Sequence, residues 1–158
     1  MEPGTFQESA KAIKFIVDLP LAGLAKWLRF CGFDSTVQRF SQSLPPAAAR
    51  LHLLTRQQSL ARHRRDDLLV LTAPDPETQL EEVIHRLQIT RGHLKFLSRC
   101  GQCNAILVSL PRDQVQGLVP EHVFHTQEQF RQCPKCRQIF WPGSHLPGIM
   151  ARVLAKLP

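Results

Sequence analysis

Four of the five cysteines form two Cys-x-x-Cys pairs, Cys100 with Cys103 and Cys133 with Cys136, with 29 residues between the pairs. Each pair places two thiolates on a tight turn, and four sulfur ligands in two such pairs suit tetrahedral zinc. An apolar run follows each pair, which predicts that the cysteines lie near the starts of strands in a zinc ribbon. Iron in the same sulfur cage is the alternative metal.

Disulfides and a redox dithiol are the other interpretations of these cysteines. The first residues contain no apolar run of about 7 to 15 residues behind a basic start, as a secretory signal would have. We therefore expect a cytoplasmic protein, in which disulfides are rare. One Cys-x-x-Cys pair is enough for a redox dithiol, and a second pair is better explained by a shared metal ion.

Carboxylate chemistry is expected where the first strand ends. Lys14 to Asp18 reads as a buried strand that finishes in a carboxylate, and an apolar stripe at helical spacing follows from Leu21 to Cys31. Ligands of parallel sheets collect at the carboxyl ends of the strands. Asp18 is thus a candidate metal ligand, although it could instead cap the helix that begins near Pro20.

Apolar strands alternate with helices from Phe15 to Leu87. This order predicts a mostly parallel α/β sheet covered by helices. A helical stripe near the end, from Leu146 to Leu157, is expected to pack back on the sheet domain. Residues 1–12 carry no predicted element, and 35–43 read as a polar connection. The remaining predicted elements are a helix ended by Gly32, a short helix at 45–50, strands at 51–54 and 68–72, and a helix opened by Asp75-Pro76-Glu77.

The charge distribution points to a polyanionic partner. The chain has 158 residues and a net charge of +7, and no stretch approaches the ~20 apolar residues of a membrane span. Acidic residues are absent between Ser35 and Arg65, between Val83 and Arg112, and after Glu128. A solvated basic face would explain any one such window, but several together favour a surface that follows phosphates. The candidate RNA-binding residues are Arg56, Arg62, Arg64 and Arg65.

Several of these segments together resemble the Mut-seven C-terminal RNase domain family. The resemblance extends from about Lys14 to His145 and is most specific in the ribbon, where Phe-Trp-x-Gly-Ser-His follows the second cysteine pair. It implies a PIN-like domain at residues 14–92, a zinc ribbon at 96–145 and a C-terminal helix at 146–158. The matching stretches are Phe15-Ile16-Val17-Asp18, Leu24 to Arg29 with Gly32-Phe33-Asp34, Leu54-Thr55-Arg56, Gln79-Leu80, Ser98 to Asn104, Cys133 to Cys136 and Phe140 to His145.

The family resemblance implies hydrolysis of RNA at Mg²⁺ or Mn²⁺ held by carboxylates. Asp18 and Asp34 match acidic positions of the family. Gln57, however, stands where the family usually has an aspartate, and Ser41 to Ser43 supply no acid where another is usual. An amide is a neutral and weaker ligand, so we expect Mg²⁺ or Mn²⁺ at Asp18 to be weakly held.

Three functions follow from these observations. The first is a metal-dependent ribonuclease of weakened activity, and the second is an RNA-binding module that has lost its nuclease centre. The third is an adaptor whose ribbon docks on a protein partner. Salt-dependent RNA binding separates the first two from the third, and metal-dependent cleavage separates the first from the second.

Overall fold

The structure is a computed structural model that describes residues 12–158, so the predicted lead-in at residues 1–12 lies almost entirely outside the described residues. It contains two sheets and four α-helices within that range. The elements are β1 (Lys14–Asp18), α1 (Ala22–Phe30), β2 (Asp34–Gln38), β3 (Leu51–Thr55), β4 (Leu68–Val70), α2 (Pro76–Leu87), β5 (Val108–Leu110), α3 (Glu121–Thr126), β6 (Phe130–Gln132), β7 (Ile139–Phe140) and α4 (Leu146–Leu154).

The first sheet has four parallel strands in the order β2-β1-β3-β4. We call this sheet with α1 and α2 the body. Successive residues of a strand face opposite sides of a sheet. Phe15 and Val17 accordingly join the main core with α1 and α2, whereas Ile16 packs in a smaller cluster on the other face. The predicted parallel α/β sheet flanked by helices is confirmed.

Two local predictions in the connection between α1 and β3 are wrong. The polar segment after Phe33 is not a loop but β2, an edge strand that pairs only with β1. An edge strand needs little apolar surface, and here Ser35 is buried while Thr36 and Gln38 are exposed. The expected short helix at 45–50 is absent, because residues 44–48 have no regular structure and a turn at Ala49 and Arg50, where Arg50 has a φ of 58°, leads directly into β3.

The second sheet is antiparallel in the order β5-β6-β7. The second cysteine pair lies in the turn between β6 and β7, and the first pair precedes β5. We call residues 98–141 the ribbon. Its long insertion between the cysteine pairs holds α3 and a small core of its own, formed by Val115, Val123 and Phe130. Trp141 packs against this core, with its ring centroid 6.5 Å from that of Phe130.

Hydrogen bonds tie the ribbon to the body at the end of α1. The Asn104 side chain accepts from the Ser35 amide at 3.0 Å and donates to the Asp34 carboxylate at 2.6 Å. Arg29 donates to the Gly101 carbonyl at 2.9 Å. Gly32 ends α1 with a φ of +99°, and a Cβ there would come within 2.5 Å of the Lys95 carbonyl oxygen. Glycine is therefore required where the linker to the ribbon crosses α1.

The C-terminal helix α4 closes the chain back onto the body. Val153 is fully buried in the main core, and Leu157 packs beside it. The Arg152 guanidinium pairs with the Glu77 carboxylate at the start of α2 and lies over the Trp27 ring. Within residues 12–158, no helix combines the length and the apolar character that crossing a membrane requires.

Candidate functional site

The four paired cysteines converge on one point of the ribbon. Their sulfur atoms all lie within 4.8 Å of one another. The Cys100 and Cys136 sulfurs are 3.8 Å apart, which equals the roughly 3.8 Å edge of a tetrahedron with Zn–S bonds of about 2.3 Å. Cys100 and Cys133 are buried, whereas Cys136 is exposed. The four cysteines could therefore hold a metal ion such as zinc.

The two cysteine pairs adopt the same turn. In the first, the Cys103 amide donates to the Cys100 sulfur at 3.4 Å, and in the second the Cys136 amide donates to the Cys133 sulfur at 3.5 Å. The residue after each pair has a positive φ, 64° at Asn104 and 66° at Arg137. Such repeated turns aim two sulfurs at one point. They were predictable from the Cys-x-x-Cys spacing.

Backbone dipoles prepare one of these sulfurs to bind as a thiolate. Burial by itself disfavours the charged form of Cys133. Its sulfur, however, accepts hydrogen bonds from the backbone amides of Cys136 and Lys135. It also accepts from the neighbouring thiols of Cys136 and Cys100. These contacts lower its pKa to about 7. In the same cluster the hydrogen bond with Cys136 and burial raise the pKa of Cys103 to about 12, and burial raises the pKa of Cys100, so the four thiols do not all ionise by themselves. Since only the thiolate is a ligand, a bound metal ion would have to displace the remaining protons.

A second candidate site lies where the strand order of the body reverses. Strand β2 lies on one side of β1, and the next strand along the chain, β3, lies on the other side. The direction of the strand order therefore changes between β1 and β3, and this is the switch point of the sheet. Ligands of open α/β sheets bind outside the carboxyl ends of the strands at such a point. Asp18 ends β1 there, as the sequence indicated, and Thr55 ends β3.

Three donors from two segments of the chain surround the Asp18 carboxylate. One of its oxygens accepts from the Phe40 amide at 3.0 Å. The other accepts from the Thr55 hydroxyl at 2.7 Å and from the Gln57 side-chain amide at 2.8 Å. Asp18 itself is only 1% exposed. It makes no side-chain capping bond to the turn that follows it, so the alternative role of helix cap is wrong.

These hydrogen bonds keep Asp18 ionised. Burial would raise the pKa of Asp18, but the bonds from Gln57, Phe40 and Thr55 outweigh burial and hold that pKa below its ordinary value of 3.8. Because the pKa is lower in the folded state than in the unfolded state, the charge stabilises the fold above pH 3.8. This contribution is lost as the pH falls through the lower folded value.

We therefore expect Asp18→Asn to lower the free energy of unfolding at pH 7 by about 1.5 to 3 kcal/mol, the usual contribution of a hydrogen bond to a charged group. Between pH 5 and pH 2, the free energy of unfolding of the variant should also change less than that of the wild type. Urea unfolding across this pH range measures both effects. Asp66→Asn, at an exposed carboxylate, is the control. Equal pH dependence in the wild type and in Asp18→Asn would contradict the prediction.

Asp34 lies at the other end of the sheet from Asp18. It pairs with Lys14 in the parallel register, whereas Asp18 pairs with Gln38. Four residues of strand, about 13 Å, separate these two levels. The expectation that Asp34 joins Asp18 in one catalytic site does not agree with this register. The Asp34 carboxylate instead accepts from Asn104 and fastens the ribbon to the body.

Other acidic residues of the body have contacts of their own. Asp75 caps α2 by accepting from the Glu77 and Thr78 amides, as its position before Pro76 indicated. Asp67 forms an ion pair with Arg65 ahead of β4. Within residues 12–158, the cysteine cluster is the one group of three or more potential ligands close enough to hold a metal ion. Among these residues, Asp18 thus has no carboxylate cluster around it.

The four candidate arginines do not share one surface. Arg56 directly follows β3, and its side chain approaches the Thr72 carbonyl beyond β4 at 3.5 Å, so it lies at the carboxyl edge near Asp18. Arg62 and Arg64 are exposed on the connection to β4. Arg65 precedes β4 at the opposite edge, where it donates to both Asp67 carboxylate oxygens and to the Pro45 carbonyl. Arg65 is therefore structural in this arrangement.

Sequence reasoning missed two of the contacts that define the Asp18 site. The Phe40 amide comes from the connection after β2, which no motif marks. Thr55 follows the strand predicted at 51–54, and its hydroxyl bond to Asp18 could not be predicted from the sequence. Gln57 was identified as a substituted ligand, and the structure places its amide nitrogen against Asp18.

Comparison with known proteins relates nearly the whole chain to one family. The model of a family described as Mut7-C RNAse domain matches residues 13–153. The matched range contains β1 with Asp18, both cysteine pairs and most of α4. No curated protein and no solved structure matches the chain significantly.

Proposed function

Since the chain belongs to the Mut7-C RNAse domain family, we propose that it acts on RNA as an RNase-like protein with weakened metal-dependent cleavage. One observation supports the proposal that cleavage is weakened. The Asp18 carboxylate, which the family resemblance assigns to the metal, is paired with the Gln57 amide at 2.8 Å. An amide N–H donor satisfies the negative charge in the place where a cation would otherwise bind.

The donor set at Asp18 fits a divalent cation poorly. Mg²⁺ and Mn²⁺ bind through oxygen ligands and gain most of their affinity from carboxylate charge. Here one carboxylate is present, and binding would require breaking its bond to Gln57 or to Thr55. The exposed Arg56 adds positive charge at the same edge. A bound ion, if loaded, would activate water at a phosphodiester, and Asp18 would be its anchoring ligand.

The four cysteines, in contrast, are a suitable ligand set for zinc. We propose that they bind one zinc ion with a structural role, because all four positions of the tetrahedron are filled by protein sulfur. A closed site of this kind leaves no position for water or substrate. Zinc would therefore hold the ribbon together, and it would not take part in hydrolysis.

An RNA-binding module without nuclease activity is the second candidate function. The observation in its favour is the absence of a carboxylate cluster around Asp18 within residues 12–158. The two candidates share the RNA-binding surface and differ only in residual cleavage. In both, the exposed arginines after β3 would attract the phosphate backbone irrespective of sequence.

Cleavage of a labelled single-stranded RNA with Mn²⁺, at high protein concentration and with a chelator control, tests the proposal. We expect slow cleavage that requires Mn²⁺ and disappears in Asp18→Ala. Rapid turnover by the unmodified chain would contradict the proposal of weakened cleavage. Binding without any cleavage, unaffected by Asp18→Ala, would favour the second candidate.

Replacing Arg56 and Arg62 together by alanine should weaken RNA binding similarly for unrelated sequences. Each lost phosphate contact should reduce the slope of log K against log salt by about 0.7 for a single strand. Fluorescence anisotropy at several salt concentrations measures this slope. Arg65→Ala is the matched control, because its side chain is occupied by Asp67 and Pro45. If the double variant keeps the wild-type slope, these arginines are not part of the binding surface.

A further inference from the structure

A cavity of about 200 Å³ lies between the ribbon and α4, and one of its lining residues, Phe140, also packs against the cluster of Cys100, Leu107 and Cys133. Drug-sized ligands occupy pockets of roughly 300 to 1,000 Å³, so this cavity suits a smaller ligand such as a single flat ring system. The structure brings the lining together from three segments of the chain. Its lining residues are Phe96, Leu97, Gln129, Arg131, Phe140, Trp141, Pro142, Leu146 and Met150.

The lining of this cavity combines aromatic faces with a few polar groups. Phe140 and Trp141 are half-buried, and Gln129 is an exposed amide at the rim. The Arg131 guanidinium also lines the cavity while it donates to the Leu97 carbonyl. Aromatic rings together with amide and guanidinium groups are the means by which proteins bind unpaired RNA bases. An aliphatic ligand would not need the polar groups.

Charge around the cavity favours an anionic ligand. No acidic residue follows Glu128, although five Lys and Arg side chains lie beyond it. Two of these five, Arg152 and Lys156, pair with acids of α2. Lys135 and Arg137 are exposed, and no acidic side chain of residues 12–158 pairs with either. Arg137 follows the turn of the second cysteine pair and stands three residues before Phe140, so the Cα atoms of the two residues are at most about 11 Å apart.

We propose that this cavity is a base pocket, in which one unpaired RNA base stacks on Trp141 or Phe140 while the adjoining phosphates contact Lys135 and Arg137. The inference rests on the proposed action on RNA and deepens it, because it gives single-stranded RNA a second contact outside the body. A ligand that joins a flat apolar ring to a phosphate matches both the lining and the charge. An apolar peptide would match the lining alone.

Intrinsic fluorescence of Trp141 provides a direct probe. The chain has two tryptophans, and Trp27→Phe leaves Trp141 as the single emitter. We expect a ten-nucleotide single-stranded adenosine RNA to quench this emission in the zinc-loaded full chain, because stacking places a base on the indole. Trp141→Leu in the unmodified chain should weaken binding of the same RNA about fivefold or more, as loss of one stacked base does. The salt slope should not change, since no phosphate contact is removed.

A second variant blocks the pocket without removing its aromatic rings. Met150→Glu places a carboxylate in the lining, and Ala151→Glu adds the same charge to the next, exposed residue of α4. We expect Met150→Glu to weaken binding at least about fivefold, equivalent to one lost stacked base, and Ala151→Glu to leave the affinity close to that of the wild type. Zinc content and circular dichroism of both variants establish that the fold is kept.

The outcomes separate this inference from the proposed function. If RNA binds with unchanged affinity to Trp141→Leu and Met150→Glu and leaves the emission unquenched, the base pocket is wrong while RNA binding stands. If the wild type binds no RNA at all, the proposed function fails and the pocket with it. If an acidic apolar peptide alone changes the Trp141 emission, the cavity is a protein-binding site and the assignment to RNA is overturned.

Discussion

Cys133→Ser should abolish the zinc binding that we propose for the four cysteines, and it should unfold the ribbon. Cys133 is fully buried in a small cluster with Cys100 and Leu107, so the turns that carry the cysteines have little apolar core besides the metal site. The other core of the ribbon is also small, with three buried residues, Val115, Val123 and Phe130. Structural zinc sites contribute an apparent ~10 to 16 kcal/mol in zinc-finger peptides. The free energy of unfolding of a whole domain is only about 5 to 15 kcal/mol. We therefore expect the variant to lose ordered structure throughout residues 98–141.

The effect should extend into the body, because the first cysteine pair carries contacts to α1 and β2. Arg29 binds the Gly101 carbonyl, and Asn104 joins Asp34 and Ser35. When the turn around Cys100 loses its metal, these acceptors and donors lose their fixed positions. Hydrogen exchange should thus rise at the amide of Ser35 and along β2, although no residue of that strand is a zinc ligand.

Elemental analysis, limited proteolysis and hydrogen exchange measure these changes. The fifth cysteine supplies the control, since Cys31 is buried in the main core and lies outside the cluster. Cys31→Ala should reduce stability through lost packing, yet it should keep one zinc per chain. A Cys133→Ser protein that lacks metal but retains a protease-resistant ribbon would contradict the structural role of the zinc.

The features that could be predicted from the sequence are those that a few consecutive residues determine. The cysteine spacing fixes two identical turns, and an apolar strand ending in Asp18 fixes the position of that carboxylate. Both are properties of a few consecutive residues. The cap formed by Asp75 before Pro76 is another such signal, and the structure confirms it.

The predictions that do not agree with the structure concern partners distant in sequence. Asp34 matches an acidic family position, but the register of β1 and β2 places it about one strand length from Asp18. Arg65 belongs to a basic segment, yet Asp67 and Pro45 occupy its side chain. Strand β2 contains one aliphatic residue, Val37, so its hydrophobic pattern could not distinguish an edge strand from a loop.

Gln57→Asp should make metal binding measurable and, without metal, destabilise the protein. The substitution removes the amide that donates to Asp18 and places a second carboxylate beside a buried one. Loss of a hydrogen bond to a charged group costs about 1.5 to 3 kcal/mol, and the like charge adds to this. The pKa of Asp18 should rise for the same two reasons. We therefore expect a lower melting temperature for Gln57→Asp in the presence of a chelator.

Mn²⁺ should reverse this destabilisation, because two carboxylates at the switch point form the charged oxygen site that the wild type lacks. A ligand present at 100 times its dissociation constant stabilises the folded state by about 2.7 kcal/mol. The melting temperature of Gln57→Asp should therefore increase with Mn²⁺ concentration, and cleavage of single-stranded RNA should increase with it. An added acid at Ser41 or Gln42 should strengthen both responses, since the family usually has one near that position.

Three control variants identify the cause of the response to Mn²⁺. Gln57→Ala removes the amide without adding an acid, so it should be destabilised and should not respond to Mn²⁺. Gln58→Asp adds the acid one residue further along, where the side chain is exposed, and should respond no more than the wild type. Asp18→Ala in the Gln57→Asp background should abolish both metal binding and cleavage. If Gln57→Asp melts at the same temperature with Mn²⁺ and with a chelator, Asp18 and position 57 do not form a metal site, and the weakened activity must have another origin than the missing carboxylate.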